Sequence, residues 1–200
     1  VTSLRGVDYT VIPDRIEAGT LIIAAAITRG DVWVRGANRK HLSAVLGKLT
    51  EADIWLDWSG KDCHVTVPNG IRAVDVTTAT YPGFPTDMQA QFMGLMCLAH
   101  GTSTITESIY LERFMHVLEL GRMGANIRID GSKAIVTGVP ELTGAPVMAS
   151  DLRAGAVLVL AGLAGTGETV LSRVYHIDRG YEHIERKLAA VGAEIERISE

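Results

Sequence analysis

Residues 84–106 read FPTDMQAQFMGLMCLAHGTSTIT, and this stretch contains the pattern that decides the fold. An apolar run begins at Asp87 and ends at Gly101, and residues that alternate as in a strand follow it. Thr86 and Gln89 have the spacing of a capping box, in which the two side chains satisfy the free backbone N–H groups of a helix start. The stretch therefore predicts a helix that begins near Asp87 and leads into a strand.

The same order of features occurs three times. Asp14 opens an apolar run that closes at Gly30, and Asp151 opens another that closes at Gly167. Each closing glycine suits a helix C-cap. A second, amphipathic helix is predicted in each repeat, at 41–49, 113–123 and 179–191.

Strands complete three units of the form β-α-β-α-β-β, with repeat boundaries at about 7–68, 72–138 and 145–200. Strands flanking the first helices are predicted at 9–12, 31–35, 73–77, 102–106, 146–149 and 168–172. Strands after the second helices are predicted at 53–58, 63–67, 127–129, 134–137 and 195–197. The third unit lacks its last strand, which we expect to be either absent or supplied by another segment of a longer chain.

The first helices are apolar nearly all round, as in LIIAAA at 21–26 and LVLA at 158–161. Helices of this kind belong in a protein interior, whereas alternating strands can leave one face to water. The sequence therefore predicts an α+β fold with three pseudo-symmetric repeats, helices inside and sheets outside.

Composition narrows the functional class. The 200 residues are 47% hydrophobic and 21% charged, which is typical of a soluble globular protein. A net charge of −4 without a basic stripe argues against a nucleic-acid partner, and the longest apolar run, 154–164, is too short to cross a membrane. Two isolated thiols, Cys63 and Cys97, indicate a reducing, cytoplasmic compartment. The first residue is Val1 rather than methionine, from which we expect a piece of a longer protein.

Several stretches that resemble catalytic or ligand-binding motifs lack a residue or a spacing that the motif requires. GLAGTGET at 162–169 matches a phosphate-binding loop except that Glu168 stands where the lysine belongs, so we interpret it as a helix stop and turn. The six histidines lack metal-ligand spacing, and we predict no metal site and no cofactor. His176 and His183 are interpreted as structural, and Cys97 lies in an apolar run typical of an inert core thiol.

Charged residues recur at equivalent ends of the repeats. Asp87 and Asp151 open first helices, Arg153 lies two residues into the latter, and Arg113 and Arg179 open predicted second helices. Helix N-termini attract anions, and arginine binds carboxylate or phosphate through paired hydrogen bonds. The set would suit an anionic substrate whose hydroxyl loses a proton. It would equally suit helix caps and solvated surface charges, and the residues alone leave both readings open.

Five segments carry a resemblance to a known family. They read PDRIEAG, FPTDMQAQ, RFMH, ASDLRA and HIDRGYE, at 13–19, 84–91, 113–116, 149–154 and 176–182. In order and over nearly all 200 residues, the chain resembles the UDP-N-acetylglucosamine 1-carboxyvinyltransferases, which are enolpyruvyl transferases of bacterial peptidoglycan synthesis. The sister enzymes acting on shikimate 3-phosphate share the repeated fold, but their signatures are not recognised here.

The resemblance implies transfer of the enolpyruvyl group of phosphoenolpyruvate to the 3′-hydroxyl of UDP-N-acetylglucosamine, with release of phosphate. It implies that Asp87 contacts that hydroxyl as general base or proton relay, and that Ile109 binds the nucleotide sugar through its backbone. It also implies that Arg113 contributes to substrate binding, and that Arg179 holds phosphoenolpyruvate. Asp151 and Arg153 are implied to assist proton transfer and charge neutralisation.

The resemblance also implies what the chain lacks. The family has a Lys-Asn pair near its N-terminus and a general-acid cysteine in a second domain, and neither has a counterpart in these 200 residues. The chain is similar to the returning C-terminal portion of the family, so its partner would be the N-terminal half of the enzyme and the isolated piece is expected to be inactive. The alternative left open is a non-catalytic nucleotide-sugar-binding or scaffold half-protein.

Overall fold

The elements of the fold follow the predicted order closely. The structure, a computed structural model, describes residues 3–198, so the outermost ends of the predicted 1–200 domain lie outside the described residues. The α-helices are Arg15–Ile27 (α1), Ser43–Glu51 (α2), Gln89–Met96 (α3), His116–Arg122 (α4), Leu152–Ala164 (α5) and Ile184–Ala189 (α6). The strands are Val32–Val34 (β1), Trp55–Ser59 (β2), Asp62–Thr66 (β3), Val76–Thr77 (β4), Thr102–Thr106 (β5), Asn126–Asp130 (β6), Lys133–Thr137 (β7), Pro146–Met148 (β8) and Val170–Ser172 (β9). Short 3₁₀ helices occupy Arg39–His41, Thr86–Met88 and Val174–Arg179.

Helices α1, α3 and α5 pack against one another and form the interior. Every residue of α3 is buried, which the apolar sequence of the run requires. Glycine permits the close approach of α3 and α5, because a Cβ at Gly94 would lie 2.6 Å from Cγ2 of Val157. Burial of these three helices confirms the predicted helical interior.

Two of the three aspartates at the helix starts are N-caps. Asp14 Oδ1 accepts from the backbone N–H groups of Ile16 and Glu17 at 2.7 and 3.2 Å. Asp151 Oδ1 accepts from those of Arg153 and Ala154 at 2.7 and 2.9 Å. Each carboxylate thus satisfies two otherwise unpaired donors of its helix.

Three sheets cover the helices. Their strand orders are β1-β3-β2, β4-β5-β7-β6 and β8-β9, with β4 and β8 parallel to their neighbours and the remaining pairs antiparallel. Alternate residues face the helices, such as Cys63 and Val65 in β3 and Ala134 and Val136 in β7, all fully buried. The predicted α+β fold, with helices inside and sheets outside, is confirmed.

Two predicted strands do not form. Residues 9–12 are unpaired, and Tyr9 and Val11 are 76% and 80% exposed. Residues 195–197 are likewise outside any sheet. Alternation indicates extended backbone, but a strand also needs a hydrogen-bonded neighbour, and the described chain places none beside these two segments.

Several helix boundaries were also predicted wrongly. Arg113 lies ahead of α4 and Arg179 ends a 3₁₀ helix, so neither opens a second helix. The first helices end three to five residues before the glycines at 30, 101 and 167, at Ile27, Met96 and Ala164. Of these glycines, Gly30 takes part in a helix cap, since its N–H donates to the carbonyl of Ala25 in α1 at 2.8 Å. Gly101 and Gly167 instead have φ values of +114° and +86° in the turns that lead into β5 and β9, a conformation that favours glycine.

The third sheet borders an open groove of about 1240 Å³. One side of the groove is β9 with the loop before it, and the other side is the extended segment 193–198. In the second sheet, the position between the corresponding elements β5 and β6 is filled by β7. The groove therefore lies where the repeat pattern calls for one more strand.

Candidate functional site

The loop 81–88 places Asp87 differently from its two counterparts. Pro85 is extended, with φ −73° and ψ 136°, and residues Thr86–Met88 form a 3₁₀ turn before α3 begins. The predicted capping box is wrong, because Gln89 is fully buried and Thr86 donates its hydroxyl to Glu107 Oε2 at 2.9 Å. Asp87 caps no helix, and its carboxylate is free to make other contacts.

Two arginines hold the Asp87 carboxylate. Arg113 Nη1 donates to Oδ1 at 2.9 Å and Arg153 Nη2 donates to Oδ2 at 3.4 Å, so the two oxygens are engaged from two repeats. Arg153 lies at the start of α5 with its side chain 12% exposed, whereas the Asp87 side chain is 41% exposed. Arginine side chains bind carboxylate and phosphate groups, so the two guanidinium groups favour an anionic ligand at this surface.

The arginines also set the protonation of Asp87. Partial burial alone would raise the pKa of this carboxyl, but Arg153 and Arg113 outweigh it and hold the pKa below its ordinary value. Asp87 is therefore ionised at neutral pH. A carboxylate with a low pKa is a weak base that gives up a captured proton readily, which suits a relay better than a group that retains the proton.

A buried carboxylate that the sequence reasoning missed supports the same site. Glu107 is fully buried and accepts from the hydroxyl of Thr78 at 2.6 Å and from the backbone N–H groups of Ile109 and Tyr110 at 2.9 and 3.1 Å. With Thr86 it has four donors, which offset the cost of burying it. Ile109 thus has its N–H occupied, and its carbonyl is the backbone group left for a ligand.

A second missed group is a buried polar cluster formed by Thr20, Gln91 and Tyr181. The Tyr181 hydroxyl lies 2.9 Å from Thr20 Oγ1, and Gln91 Nε2 donates to both oxygens at 3.1 Å. Thr20 and Gln91 are 71 residues apart, the same spacing as Gly30 and Gly101 (101 − 30 = 71). That shared spacing is the sequence signal that could have identified the pair.

The remaining predicted site residues are placed apart from Asp87. Asp151 is the N-cap of α5, so one of its oxygens is committed to the helix. Arg179 borders a smaller cavity of about 460 Å³ with Glu17 and Tyr181. Within residues 3–198, no hydrogen bond or ion pair joins Arg179 to Asp87. Neither this cavity nor the groove beside β9 includes Asp87, whose side chain is 41% exposed.

Neither cysteine is reactive in this structure. Burial raises the pKa of Cys97 to about 12 and that of Cys63 to about 11, so both remain protonated thiols at neutral pH. Within the described residues, no group of three His, Cys, Asp or Glu side chains could hold a metal ion. None of the helices between residues 3 and 198 combines the length and apolar character that a membrane span requires.

Comparison with known proteins assigns the chain to a family. A family model described as EPSP synthase (3-phosphoshikimate 1-carboxyvinyltransferase) matches residues 1–188. The chain belongs to this family. Together with the curated relatives, this match confirms the resemblance that the sequence motifs indicated.

Curated relatives carry a more specific name. The UDP-N-acetylglucosamine 1-carboxyvinyltransferase of Lawsonia intracellularis is 57% identical over 200 residues, covering 100% of this chain and 48% of that protein. UDP-N-acetylglucosamine 1-carboxyvinyltransferase 1 of Clostridium acetobutylicum is 53% identical, covering 99% of this chain and 47% of that protein. The chain spans about half the length of the curated relatives it matches.

Solved structures share the fold. The enolpyruvyl transferase NikO from Streptomyces tendae superposes with a TM-score of 0.86 at 29% identity, over 94% of this chain and 45% of that one. EPSP synthase from Acinetobacter baumannii gives 0.71 at 19% identity, over 95% of this chain and 45% of that one, which shows the fold alone.

Proposed function

We propose that the full-length protein containing this chain transfers the enolpyruvyl group of phosphoenolpyruvate to the 3′-hydroxyl of UDP-N-acetylglucosamine. The observation that carries the proposal is Asp87, a partly exposed, ionised carboxylate held by Arg113 and Arg153. Relatives that are 57% and 53% identical are named for this reaction. The reaction would serve peptidoglycan synthesis, and with it cell shape and division, in the cytoplasm.

The chemistry requires a hydroxyl to lose its proton as its oxygen bonds to C2 of phosphoenolpyruvate. C3 gains a proton in this addition and loses one in the elimination that releases phosphate. Asp87 takes the role of base or relay for the hydroxyl, since its pKa keeps it ionised. Preorganised cations nearby stabilise the charge that moves during addition and elimination.

The other site residues act around Asp87. Ile109 contacts the nucleotide sugar through its carbonyl, because its N–H is bonded to Glu107. Arg113 and Arg153 neutralise the anionic substrates, and Asp151 assists proton transfer while capping α5. Arg179 binds phosphoenolpyruvate across the cleft, since a guanidinium matches a carboxylate or phosphate in two-point geometry.

This chain supplies one half of the active site. The Asp87 side chain is 41% exposed, and the third sheet has an unfilled groove. The second half, with a general-acid cysteine and a Lys-Asn pair, belongs to the rest of the protein. A strand from that remainder would fill the groove.

Product formation by the full-length protein tests the proposal. With phosphoenolpyruvate and UDP-N-acetylglucosamine, we expect phosphate release matched one for one by enolpyruvyl nucleotide sugar. Shikimate 3-phosphate in place of the nucleotide sugar is the control, and it should give none. The 200-residue chain alone should not turn over. Turnover with shikimate 3-phosphate only, or with neither acceptor, would contradict the proposed substrate.

A further inference from the structure

The phenol of Tyr181 joins the buried polar cluster to the candidate site. Tyr181 is 1% exposed and follows the 3₁₀ helix Val174–Arg179. Its hydroxyl accepts from Gln91 Nε2 at 3.1 Å and from Arg153 Nη1 at 3.2 Å. The other terminal nitrogen of the same guanidinium, Nη2, donates to Asp87. Arg153 therefore bridges Tyr181 and Asp87.

With the Gln91 amide nitrogen directed towards the two hydroxyls, as in the structure, the hydrogen-bond directions in this cluster follow from the donors available. A phenol oxygen has two acceptor sites and one proton, and Gln91 and Arg153 occupy both acceptor sites. The Tyr181 proton must then go to Thr20 Oγ1, 2.9 Å away. Thr20 and Gln91 are both fully buried, so the loss of one partner leaves a buried polar group without its hydrogen bond.

The backbone brings Tyr181 close to the start of α5. A Cβ at Gly180 would lie 2.9 Å from Cδ2 of Leu152, so a larger residue at 180 would push the two segments apart. The Arg153 guanidinium also lies over the Tyr181 ring, 5.7 Å from its centroid. Arg153 Nε is buried without a partner, which leaves Tyr181 and Asp87 as the groups that orient this side chain.

We propose that Tyr181 is a positioning residue for the proposed reaction: its hydroxyl fixes the Arg153 guanidinium against the Asp87 carboxylate. The inference rests on the proposed function for its catalytic consequence, but the positioning itself does not depend on turnover. Thr20 and Gln91 fix the phenol in turn, so all three repeats contribute to the placement of one arginine.

Few charged groups face Asp87 from the surrounding elements. Arg113, ahead of α4, and Arg153, in α5, contact it directly. Glu107, after β5, reaches it through Thr86, which also accepts from Arg113 at 3.1 Å. Asp151, at the start of α5, is turned to the helix N–H groups. Among these groups, Tyr181 touches Arg153 alone, so its removal should act on Asp87 through Arg153.

The test compares two buried hydroxyl deletions in the full-length protein. Tyr181→Phe removes the acceptor of Arg153, and Thr20→Val removes a hydroxyl from the same cluster without touching Arg153. Carbon-13 NMR of labelled aspartate follows the Asp87 carboxyl, assigned with Asp87→Asn, in the absence of substrate. We expect Tyr181→Phe to move the Asp87 titration midpoint upwards, and Thr20→Val to move it by much less, because the Tyr181 hydroxyl remains in place as the acceptor of Arg153.

Catalysis provides the second readout. Tyr181→Phe should lower kcat/KM by roughly tenfold, as expected for the loss of a charge-assisted hydrogen bond. In an Arg153→Lys background the same substitution should have little further effect, because the group it positions is gone. An additive loss in that background, or equal midpoint shifts in Tyr181→Phe and Thr20→Val, would overturn the proposal. An inactive wild type with the expected midpoint shift would instead refute the proposed function and leave the positioning role standing.

A measurement on the wild type covers the case in which Tyr181→Phe does not fold. A guanidinium held at both ends rotates slowly about its Nε–Cζ bond and gives separate Nη1 and Nη2 resonances. We expect separate resonances for Arg153, assigned with Arg153→Lys. A single averaged resonance would show that Tyr181 does not fix the group.

Discussion

At the scale of single residues, the three aspartates near the starts of the first helices make two different kinds of contact. Asp14 and Asp151 cap α1 and α5, whereas Asp87 pairs with Arg113 and Arg153. The difference comes from the 3₁₀ turn Thr86–Met88, which delays the start of α3 until Gln89. A 3₁₀ turn thus stands where α1 and α5 have their first helical turn, and Asp87 within it is partly exposed rather than bound to the backbone of its helix.

His116 gives a residue-scale prediction of pH dependence. Burial lowers the pKa of this imidazole from 6.5 to about 4, outweighing the attraction of Asp151, and Arg113 lowers it further. Between these values the unfolded chain binds a proton that the folded chain does not, so stability falls as pH drops from about 6.5 towards 4. From pH 7 to pH 5 we expect His116 to account for a loss of about 2 kcal/mol in the free energy of unfolding.

Denaturant titrations of the wild type and His116→Phe at both pH values measure this contribution. The variant should lose less stability on acidification than the wild type. Equal losses would show that the imidazole is protonated in the folded state.

At the scale of elements, local pattern predicted most of the helices and strands because each depends on its own sequence. Caps at Asp14 and Asp151 followed from residue type and position alone. The strands predicted from alternating residues at 9–12 and 195–197 do not form, because a strand needs a hydrogen-bonded neighbour and the local sequence does not contain that information. The contact of Tyr181 with Thr20 and Gln91 spans 161 and 90 residues, a separation at which periodicity carries no information.

The candidate site was predictable only in part for the same reason. The resemblance implied Asp87, Arg113 and Arg153, and the structure brings these three together. Glu107 was missed because a buried acid in a strand-to-loop stretch has no motif, and its four donors come from three separate segments.

Packing of α3 against α5 gives an element-scale prediction. Gly94→Ala would place a methyl group 2.6 Å from Val157 Cγ2, and we expect it to destabilise the fold by about 1–3 kcal/mol. Gly47→Ala is the matched control, since Gly47 lies within α2 with nothing within 4 Å of its Cβ position. That substitution should stabilise by roughly 0.5–1 kcal/mol, the difference in helix propensity.

Thermal unfolding of the two variants measures both effects. In a Val157→Ala background the cost of Gly94→Ala should largely disappear, because the clashing methyl is absent. If the cost persists there, the close approach of the two helices is not its cause.

At the scale of the whole molecule, the repeats differ in how completely they are built. The second sheet has four strands, while the third has two beside an open groove. The strand β9 therefore has one edge paired with β8 and the other facing the groove. By the pattern of β5 and β7, a strand filling the groove would run antiparallel to β9.

Hydrogen exchange in the full-length protein tests whether that strand is present. We expect the groove-facing amides of β9 to be protected to the same degree as those of β5, which lies between two strands. The β2 amides directed away from β3 are the control for an unpaired edge and should exchange fast. Fast exchange at β9, like that at β2, would contradict the proposed completion of the third sheet.

The central claim is that Asp87, unlike its repeat counterparts, is a catalytic carboxylate. The most direct measurement is kcat of the full-length protein carrying Asp87→Asn, beside Asp14→Asn, with phosphoenolpyruvate and UDP-N-acetylglucosamine. Asparagine is also a good N-cap, so Asp14→Asn should retain near-wild-type kcat. Asp87→Asn should keep the fold and lose at least about 100-fold in kcat, since the proton acceptor is gone. A kcat for Asp87→Asn close to that of Asp14→Asn would contradict the account.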